Sequence, residues 1–339
     1  MSESNKRITI VADGFGGDHA PDEVLKGAAK AVAALPCSII ITGNVSLLEE
    51  RLSALGLPHK HIVFEQADGV IHTEDNPLDI RKSKLGTSMG KAFTLLKTGA
   101  ADAMISAGST AALLIGGTFI IGRIPGVKRP AFCPEMPSLN GKYLLIDGGA
   151  NSECRADMLL QFAQMADVYA KQMYDMPNPR IALLSNGTER EKGRDLEREA
   201  YALLQKSRLN FVGYAEGRDP TLGECDIIVT DGYTGNIYLK TVEGMGKFMS
   251  YSLKGIFKRN AASNLAYLLA KSGVKDLTKR TDYREIGGTP LLGAAKPVIK
   301  AHGSSDERAF FSTFKQAVDF VRAGGCDKIA AAMTADKQQ

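Results

Sequence analysis

ITIVADGFGGDHAP, residues 8–21, is a short β-branched run that passes through an acidic, glycine-rich turn into the start of a helix. The same order of strand, polar glycine turn and helix recurs, with turns that begin at Ser106, Asp147, Ser185 and Thr230. Parallel strands end at one edge of a sheet, so these turns are expected to meet there. Glycines let backbone N–H groups approach a ligand, and helix N-termini favour anions. The pattern therefore predicts an α/β fold with a polar, anion-binding cleft.

Composition and charge limit the classes of protein to which the chain can belong. The 339 residues are 44% hydrophobic and 24% charged, with a net charge of +4 and no tryptophan. No lysine and arginine run resembles a nucleic-acid-binding arm, so we expect no nucleic-acid partner. No apolar stretch approaches the roughly 20 residues of a membrane span, and no signal peptide precedes the first strand. The five cysteines are widely spaced, as in reduced proteins, so we expect a cytoplasmic protein.

Strands and helices alternate from about residue 8 to residue 245, without an internal repeat or a low-complexity linker. This alternation is typical of a mostly parallel sheet covered by helices, and the lack of a linker favours interleaved subdomains. Helices are predicted over residues 21–34, 46–54, 88–98, 110–122, 156–172 and 191–206.

Residues 245–275 differ from the rest of the chain and predict two amphipathic helices. Apolar residues such as Phe248 and Leu268 are interspersed with the basic residues Lys254, Lys258 and Arg259. Such a surface can be a dimer interface or a core-facing helix surface. It can also contact a membrane or an acidic carrier protein through apolar residues flanked by basic ones.

The sequence matches several cofactor-binding and metal-binding motifs only in part. The dinucleotide fingerprint that begins at Gly14 has His19 where its third glycine should stand. The run from Gly86 to Ala92 is one residue short of a phosphate-binding P-loop and lacks its final hydroxyl residue. Histidine and cysteine spacings do not match a zinc site. We therefore expect no cofactor and no metal.

Other polar clusters suit anion chemistry, although each also has a purely structural interpretation. His19 either donates to a phosphate or caps a helix, and the hydroxyls of Ser109 and Thr110 either bind an anion or cap one. Asn236 and Lys240 lie one helical turn apart and so can share a face. His302 follows a strand-like run and precedes a probable helix start, where it is either a site residue or a hydrogen-bonded structural histidine.

The order of these motifs resembles the bacterial phosphate acyltransferases of phospholipid synthesis, the PlsX family. The resemblance extends over about residues 7 to 330. The blocks that carry it include Gly16-Gly17-Asp18-His19-Ala20-Pro21, Ser106-Ala107-Gly108, Arg129-Pro130-Ala131, Gly149-Ala150-Asn151, Gly187-Thr188-Glu189, Lys192-Gly193, Thr230-Asp231-Gly232, Gly235-Asn236, Lys240-Thr241 and Ala301-His302-Gly303-Ser304-Ser305. The chain departs from the family pattern at Ser109, Ala111, Gly148, Ser185 and Arg194.

The resemblance implies an enzyme that moves a long-chain fatty acyl group from acyl carrier protein to inorganic phosphate. Its product, an acyl phosphate, would supply a glycerol-3-phosphate acyltransferase. The implied fold is three-layer α/β/α, similar to isocitrate/isopropylmalate dehydrogenases and related to phosphotransacetylases. Residues 7–333 would be one catalytic unit of two intertwined subdomains. The protein would usually be a homodimer, and residues 245–275 would contact the membrane peripherally.

With this reaction in view, we assign expected roles to the residues of the motifs. Glycine N–H groups and hydroxyls would cradle phosphate, a lysine would offset charge, and a histidine would donate to the oxyanion or protonate the leaving thiolate. No covalent acyl-enzyme is required. The expected catalytic residues are His19, Lys192, Asp231, Asn236, Lys240 and His302. The expected phosphate- or substrate-binding residues are Gly16, Gly17, Asp18, Ser106, Gly108, Ser109, Thr110, Asn151, Gly187, Glu189, Gly235, Gly303 and Ser304.

The acyl chain and the carrier protein also need binding surfaces. Residues 245–275, or residues 113–121 with a gap at Gly116 and Gly117, are the candidate apolar grooves. Lys254, Lys258 and Arg259 are the candidate contacts for an acidic carrier protein. Three other functions remain open: a CoA-dependent phosphotransacetylase, a nicotinamide-linked dehydrogenase and a non-catalytic protein that binds a membrane or an acyl carrier.

Overall fold

The computed structural model describes residues 7–280 and 287–335, which form two β-sheets flanked by helices. The first sheet has seven strands in the order β3-β2-β1-β4-β12-β11-β5, in which β11 runs antiparallel to both of its neighbours and the other pairs are parallel. Its strands are β1 (Ile8–Asp13), β2 (Cys37–Gly43), β3 (Ile62–Gln66), β4 (Ala103–Ser106), β5 (Ala131–Phe132), β11 (Thr289–Leu292) and β12 (Val298–Lys300).

The second sheet has five strands in the order β6-β7-β10-β8-β9, and only β6 runs antiparallel to its neighbour. Its strands are β6 (Glu135–Ser138), β7 (Gly141–Ile146), β8 (Ile181–Leu184), β9 (Phe211–Ala215) and β10 (Ile227–Val229). The chain leaves the first sheet after β5 and returns to it at β11, so both ends of the chain contribute to that sheet.

Helices cover both faces of the two sheets. They are α1 (Asp22–Ala34), α2 (Val45–Ala54), α3 (Ser88–Thr98), α4 (Thr110–Gly116), α5 (Ala156–Met173), α6 (Asp195–Lys206), α7 (Asp219–Leu222), α8 (Gly232–Phe257), α9 (Ala261–Arg280), α10 (Glu307–Arg322) and α11 (Gly325–Ala335). A 3₁₀ turn occupies Pro77–Arg81, and α4 continues as a π-helical turn over Gly117–Ile121.

Successive side chains of the buried strands pack against helices on opposite faces of the sheet. In β12, Ile299 packs with Phe310 and Phe314 of α10, whereas Val298 packs on the opposite face with Phe93 of α3. Because successive strand residues point to opposite faces, a strand covered by helices on both sides must be apolar throughout. This explains the continuous β-branched runs in the sequence and gives a three-layer α/β/α arrangement, as predicted.

Three short strands in antiparallel pairs, β5, β6 and β11, were not predicted because they are brief and lack a β-branched run. The helix predicted from residue 191 is wrong at its start, since α6 begins at Asp195. Gly193 adopts a left-handed φ of +86°, which ends the preceding turn. The side chain of Glu197 then accepts a hydrogen bond of 2.8 Å from the Arg194 backbone N–H, which fixes the helix start.

Helices α8 and α9 form a hairpin with a large exposed apolar surface. Phe248 is 61% exposed, Tyr251 73% and Leu269 83%, although Phe257 and Tyr267 contact each other between the helices. Residues 245–275 lie in two helices, and the first of these begins earlier, at Gly232. In the described part of the chain, no helix combines the length and the apolar character needed to cross a membrane.

Candidate active site

Asp13 and Ser106 join the ends of two neighbouring strands of the first sheet. The Ser106 hydroxyl donates a hydrogen bond of 2.7 Å to Asp13 Oδ2 and accepts one of 3.0 Å from the Gly108 N–H. Asp13 Oδ1 accepts from the Phe15 N–H. Burial raises the pKa of Asp13, and the hydrogen bonds from Ser106 and Phe15 oppose that rise. The two glycine turns are thus held together by buried polar contacts.

The glycines of these turns lie in close contact. A Cβ atom on Gly16 would lie 2.7 Å from the Gly108 nitrogen, and one on Gly17, whose φ is +102°, would lie 3.0 Å from the Ala107 Cβ. The Asp18 N–H donates a hydrogen bond of 2.8 Å to the carbonyl of Gly303. The loops after β1, β4 and β12 therefore converge, as predicted. We call the group Gly16, Gly17, Asp18, Ser106, Gly108 and Gly303 the first-sheet cradle.

Two predicted hydroxyls beside this cradle have different environments. Ser109 is buried, and its hydroxyl accepts a hydrogen bond of 3.4 Å from the Ala112 N–H at the start of α4. Ser109 therefore caps α4, which is the structural one of its two interpretations. Thr110, the first residue of α4, is exposed.

His302 follows β12 and has a defined tautomer. Its Nδ1 accepts a hydrogen bond of 3.2 Å from the Ser304 N–H, so the neutral ring carries its proton on Nε2. Burial, together with the positive charges of Lys300, Lys240 and Lys247, lowers the pKa of His302, and Glu243 opposes this effect. The ring is thus neutral near pH 7 and presents an Nε2–H donor.

Lys300, the last residue of β12, lies beside the first-sheet cradle and was not among the predicted site residues. It pairs in register with Ser106 of the neighbouring strand β4. Its Nζ lies 3.3 Å from the Ala301 carbonyl oxygen. Burial and the charge of Lys240 lower the pKa of Lys300, and Glu243 opposes them. The available signal was a lysine directly after the buried pair Val298-Ile299.

Asp147 organises the equivalent turn in the second sheet. Its buried carboxylate accepts hydrogen bonds from the N–H groups of Gly149, Ala150 and Asn151 at 3.0, 2.9 and 2.7 Å. It also accepts one from the Asn151 side-chain amide at 2.8 Å. Burial raises the pKa of Asp147, and these donors oppose the rise. Asp147 was not among the predicted site residues, although it stands at the start of a glycine turn like that after β1.

The start of α8 packs directly on this turn. The Gly232 N–H donates to the Asn151 carbonyl at 2.7 Å, and a Cβ on Gly235 would lie 1.9 Å from the Asp147 carbonyl oxygen. A Cβ on Gly149 would lie 3.2 Å from the Asn236 Cβ. The Asp231 carboxylate caps α8 through the Thr234 N–H at 2.8 Å. The structure therefore brings Asn151, Asp231, Gly235 and Asn236 together, and we call these four residues the second-sheet group.

Gly187, Glu189 and Lys192 form a third group in the loop between β8 and α6. A Cβ on Gly187 would lie 2.6 Å from Glu189 Oε2 and 3.0 Å from the Lys192 Cγ. Glu189 and Lys192 are both exposed. Arg194, two residues after Lys192, forms an ion pair with the buried Asp231. This ion pair attaches the loop to the second-sheet group.

Helix α8 connects the second-sheet group to the first-sheet cradle. Lys240 forms an ion pair of 2.8 Å with Glu243 one turn later. The charges of both residues act on Lys300 and His302, which belong to the first sheet. The charged residues of α8 therefore lie near enough to the end of β12 to influence its lysine and the histidine that follows. His19 is exposed and lines a separate depression of about 450 Å³ with Glu23 and Arg51.

A basic depression of about 460 Å³ adjoins the second-sheet group. It is lined by Thr118, Phe119, Arg123, Lys128, Arg129, Arg155 and Met158. Pro130, which follows Arg129, accepts a hydrogen bond of 2.8 Å at its carbonyl from the Asn151 amide. The apolar gap predicted at Gly116 and Gly117 is not a groove, because Phe93 and Leu291 fill the space beside these glycines.

The thiols and acidic groups near the site limit its chemistry. Cys154 donates through Sγ to the Asn151 carbonyl at 3.5 Å. Burial and the charge of Asp147 raise the pKa of Cys154 to about 12, so it is a poor thiolate nucleophile at neutral pH. Within residues 7–280 and 287–335, no group of three or more histidine, cysteine or acidic side chains is placed to hold a metal ion.

Comparison of the sequence with known proteins shows the family to which the chain belongs. Residues 8–328 match the model of the family described as fatty acid synthesis protein. A phosphate acyltransferase from Thermoanaerobacter pseudethanolicus is 42% identical over 315 residues, which cover 93% of this chain and 94% of the relative. The chain belongs to the phosphate acyltransferase family. A second family member, from Oceanobacillus iheyensis, is 41% identical over 315 residues, again covering 93% and 94% of the two chains.

Solved structures relate the fold of this family member to phosphotransacetylases. A phosphotransacetylase from Streptococcus pyogenes superposes with a TM-score of 0.64 at 20% identity, covering 95% of this chain and 94% of that one. The EutD phosphotransacetylase from Staphylococcus aureus gives a TM-score of 0.60 at 17% identity, with coverages of 97% and 95%. The predicted fold class is confirmed.

Proposed function

We propose that this phosphate acyltransferase moves a long-chain acyl group from acyl carrier protein to inorganic phosphate. The observation that carries the proposal is the first-sheet cradle of glycine turns, beside which Lys300 ends β12 in register with Ser106 and His302 follows two residues later. Glycine backbone N–H groups close to a positive charge suit a phosphate dianion. The acyl phosphate would serve phospholipid synthesis through a glycerol-3-phosphate acyltransferase.

In the proposed reaction, a phosphate oxygen forms a bond to the thioester carbon while the C–S bond breaks. Starting from hydrogenphosphate, the products are an acyl phosphate dianion and a free thiol, so the phosphate proton ends on sulfur. Holding the reactants about 3–3.5 Å apart supplies much of the rate enhancement. The first-sheet cradle holds the phosphate, and the His302 Nε2–H donates to the developing oxyanion. Asn151 and Asn236 orient the thioester from the opposite wall.

The basic depression beside the second-sheet group is a candidate docking surface for the acidic carrier protein. It adjoins Asn151 through the Arg129–Pro130 segment. The docking surface predicted at Lys254, Lys258 and Arg259 lies farther away. Lys254 is 18 residues beyond Asn236 on α8, about 27 Å at 1.5 Å per residue. The thioester arm of a carrier docked at the basic depression has a shorter distance to span to the cleft.

The α8–α9 hairpin is the proposed homodimer contact. Its exposed side chains Phe248, Tyr251 and Leu269 form more apolar surface than a monomer ordinarily leaves in water. Sedimentation equilibrium on wild-type protein and on Phe248→Lys/Tyr251→Lys tests this. We expect a dimer for the wild type and a monomer for the variant. A wild-type monomer with unchanged solubility would contradict the proposal.

The turn between α8 and α9 is the proposed membrane contact. Ile256 and Leu265, 59% and 60% exposed, flank the basic residues Lys258 and Arg259. Apolar side chains next to basic ones suit an anionic lipid surface. We expect the wild type to sediment with vesicles that contain anionic phospholipid and Ile256→Asp/Leu265→Asp to remain in the supernatant. Equal sedimentation of both proteins would remove the membrane contact from the proposal.

The decisive experiment incubates the enzyme with palmitoyl acyl carrier protein, with and without inorganic phosphate. We expect phosphate-dependent release of free thiol in equal amount to acyl phosphate. A parallel reaction with palmitoyl-CoA tests the CoA-dependent alternative, which predicts faster turnover with CoA. Thioester that remains intact in the presence of phosphate would favour the non-catalytic alternative. Binding of NAD or NADP in a thermal-shift assay would instead favour a dehydrogenase.

A further inference from the structure

Lys300 belongs to a row of polar side chains at the ends of three adjacent parallel strands. In β12, Ile299 packs on the face covered by α1 and α10, and Val298 packs on the face covered by α3 and α4. Lys300, the next residue, is therefore on the same face as Val298. By the same alternation, Ser106 of β4 lies on this face with Met104, and Asp13 of β1 lies there with Val11. The register places Lys300 directly beside Ser106.

The charge of Lys300 is not neutralised by an ion pair with a neighbouring carboxylate in the described residues. Its ammonium group contacts the Ala301 carbonyl oxygen, and within residues 7–280 and 287–335 it forms no ion pair. Its charged neighbours include Lys240 and Glu243 on α8, but Glu243 is already paired with Lys240. A mostly buried ammonium is costly unless it is paired or hydrogen-bonded to an anion. The cost is explained if a ligand supplies the negative charge.

The other two lysines expected to offset the phosphate charge are less suited to that role. Lys192 is exposed in the β8–α6 loop, and Lys240 is exposed and engaged with Glu243. Lys300 alone of the three starts from the strand end that adjoins the first-sheet cradle. Ser106 already connects that strand end to Gly108.

We infer that Lys300 is the cation that binds the phosphate nucleophile against the first-sheet cradle, in place of Lys192 or Lys240. The inference rests on the proposed phosphate acyl transfer. In this role Lys300 binds phosphate as a point charge at the end of β4, where the Ser106 hydroxyl is engaged with Asp13 and the Gly108 N–H with Ser106. The phosphate group that Lys300 binds could belong to free inorganic phosphate or to the phosphodiester of the carrier's thiol arm. We assign Lys300 to the binding of free inorganic phosphate.

The test compares Lys300→Met, Lys300→Arg and the control Lys315→Met. Lys315 lies on α10, is exposed and pairs with Asp319, so its variant removes one positive charge outside the cleft. We expect Lys300→Met to raise the KM for phosphate at least tenfold and to change the KM for palmitoyl acyl carrier protein less than twofold. Lys300→Arg should recover part of the phosphate affinity. A larger effect on the carrier substrate than on phosphate would instead assign Lys300 to the thiol arm and overturn the inference.

A second measurement separates this inference from the proposed function. Titration calorimetry with inorganic phosphate alone reports binding in the absence of catalysis. We expect heat of binding from wild-type protein and Lys315→Met, and none from Lys300→Met. If wild-type protein binds phosphate through Lys300 but forms no acyl phosphate, the proposed function fails and the phosphate site stands. If Lys300→Met binds phosphate and turns over like the wild type, the assignment of Lys300 is wrong while the function stands.

Discussion

The Ser106 hydroxyl donates a 2.7 Å hydrogen bond to the carboxylate of Asp13, a residue 93 positions earlier in the chain. Ser106 also accepts from the Gly108 N–H, so one hydroxyl holds two glycine turns in contact. Both side chains are buried, at 1% and 2% exposure. The phosphate cradle proposed for this enzyme thus depends on a polar contact between two different strands.

Replacing Ser106 by alanine should damage both stability and phosphate use. The change leaves the buried Asp13 carboxylate with one donor fewer, which costs roughly 1–3 kcal/mol of unfolding free energy. Loss of the contact that holds the two glycine turns together should misplace the proposed phosphate site and lower kcat/KM for phosphate by about 100-fold. Urea unfolding and steady-state kinetics measure the two effects. Ser109→Ala, which removes only a helix cap, should lose stability with much less effect on phosphate KM.

Lys300→Met is expected to be more stable than the wild type at pH 7. The pKa of Lys300 is lowered in the folded protein, so its charged form is disfavoured by folding at every pH below that pKa. Removing the charge should therefore raise the thermal midpoint. The advantage should shrink as the pH rises towards 10.5 and the wild-type lysine loses its proton. A lower midpoint for Lys300→Met at pH 7 would show that the ammonium stabilises the fold.

The repeated strand-turn-helix pattern was enough to predict an α/β fold with a mostly parallel sheet and converging glycine turns, whereas the three-layer α/β/α arrangement was implied by the family resemblance. Apolar runs define buried parallel strands, and the glycine turns after them define the carboxyl edge. The pairing of Asp13 with Ser106 was not predictable, because it depends on which strands become neighbours in the sheet. Lys300 was missed for the same reason. In the sequence it ends an apolar run, and only the register with β4 places it beside Ser106.

His302 should control the acid limb of the pH–rate profile. Its pKa is lowered in the folded protein, so it becomes protonated only as the pH falls below its usual range near 6.5. Protonation places hydrogen on Nδ1, which then cannot accept from the Ser304 N–H. The same titration destabilises the folded state as the pH falls, because the unfolded chain binds the proton more readily. We expect His302→Gln to lower kcat by about 10- to 100-fold and to remove this limb. His59→Gln, at an exposed position before β3, should keep both the rate and the limb.

Cys154 should be dispensable for the chemistry. Its thiol lies next to Asn151, but its pKa of about 12 keeps it protonated at neutral pH. Cys154→Ala should retain kcat within about threefold, since no acyl-enzyme is part of the proposed reaction. Intact-mass analysis of wild-type protein quenched during turnover should show no added palmitoyl mass. A palmitoyl adduct that disappears in Cys154→Ala would replace direct transfer by a two-step mechanism.

Charge reversal at two basic surfaces should identify where the carrier protein docks. Arg123→Glu/Arg129→Glu alters the basic depression beside Asn151, and Lys254→Glu/Lys258→Glu alters the far half of α8. Long-range attraction to an acidic partner weakens with added salt. We expect the first variant to raise the KM for palmitoyl acyl carrier protein about tenfold at low salt, with a smaller difference at high salt. The second variant should raise it less than twofold, and neither should alter the KM for phosphate. The reverse order of effects would move the docking surface to the α8–α9 hairpin and would require the thioester arm to span most of that helix.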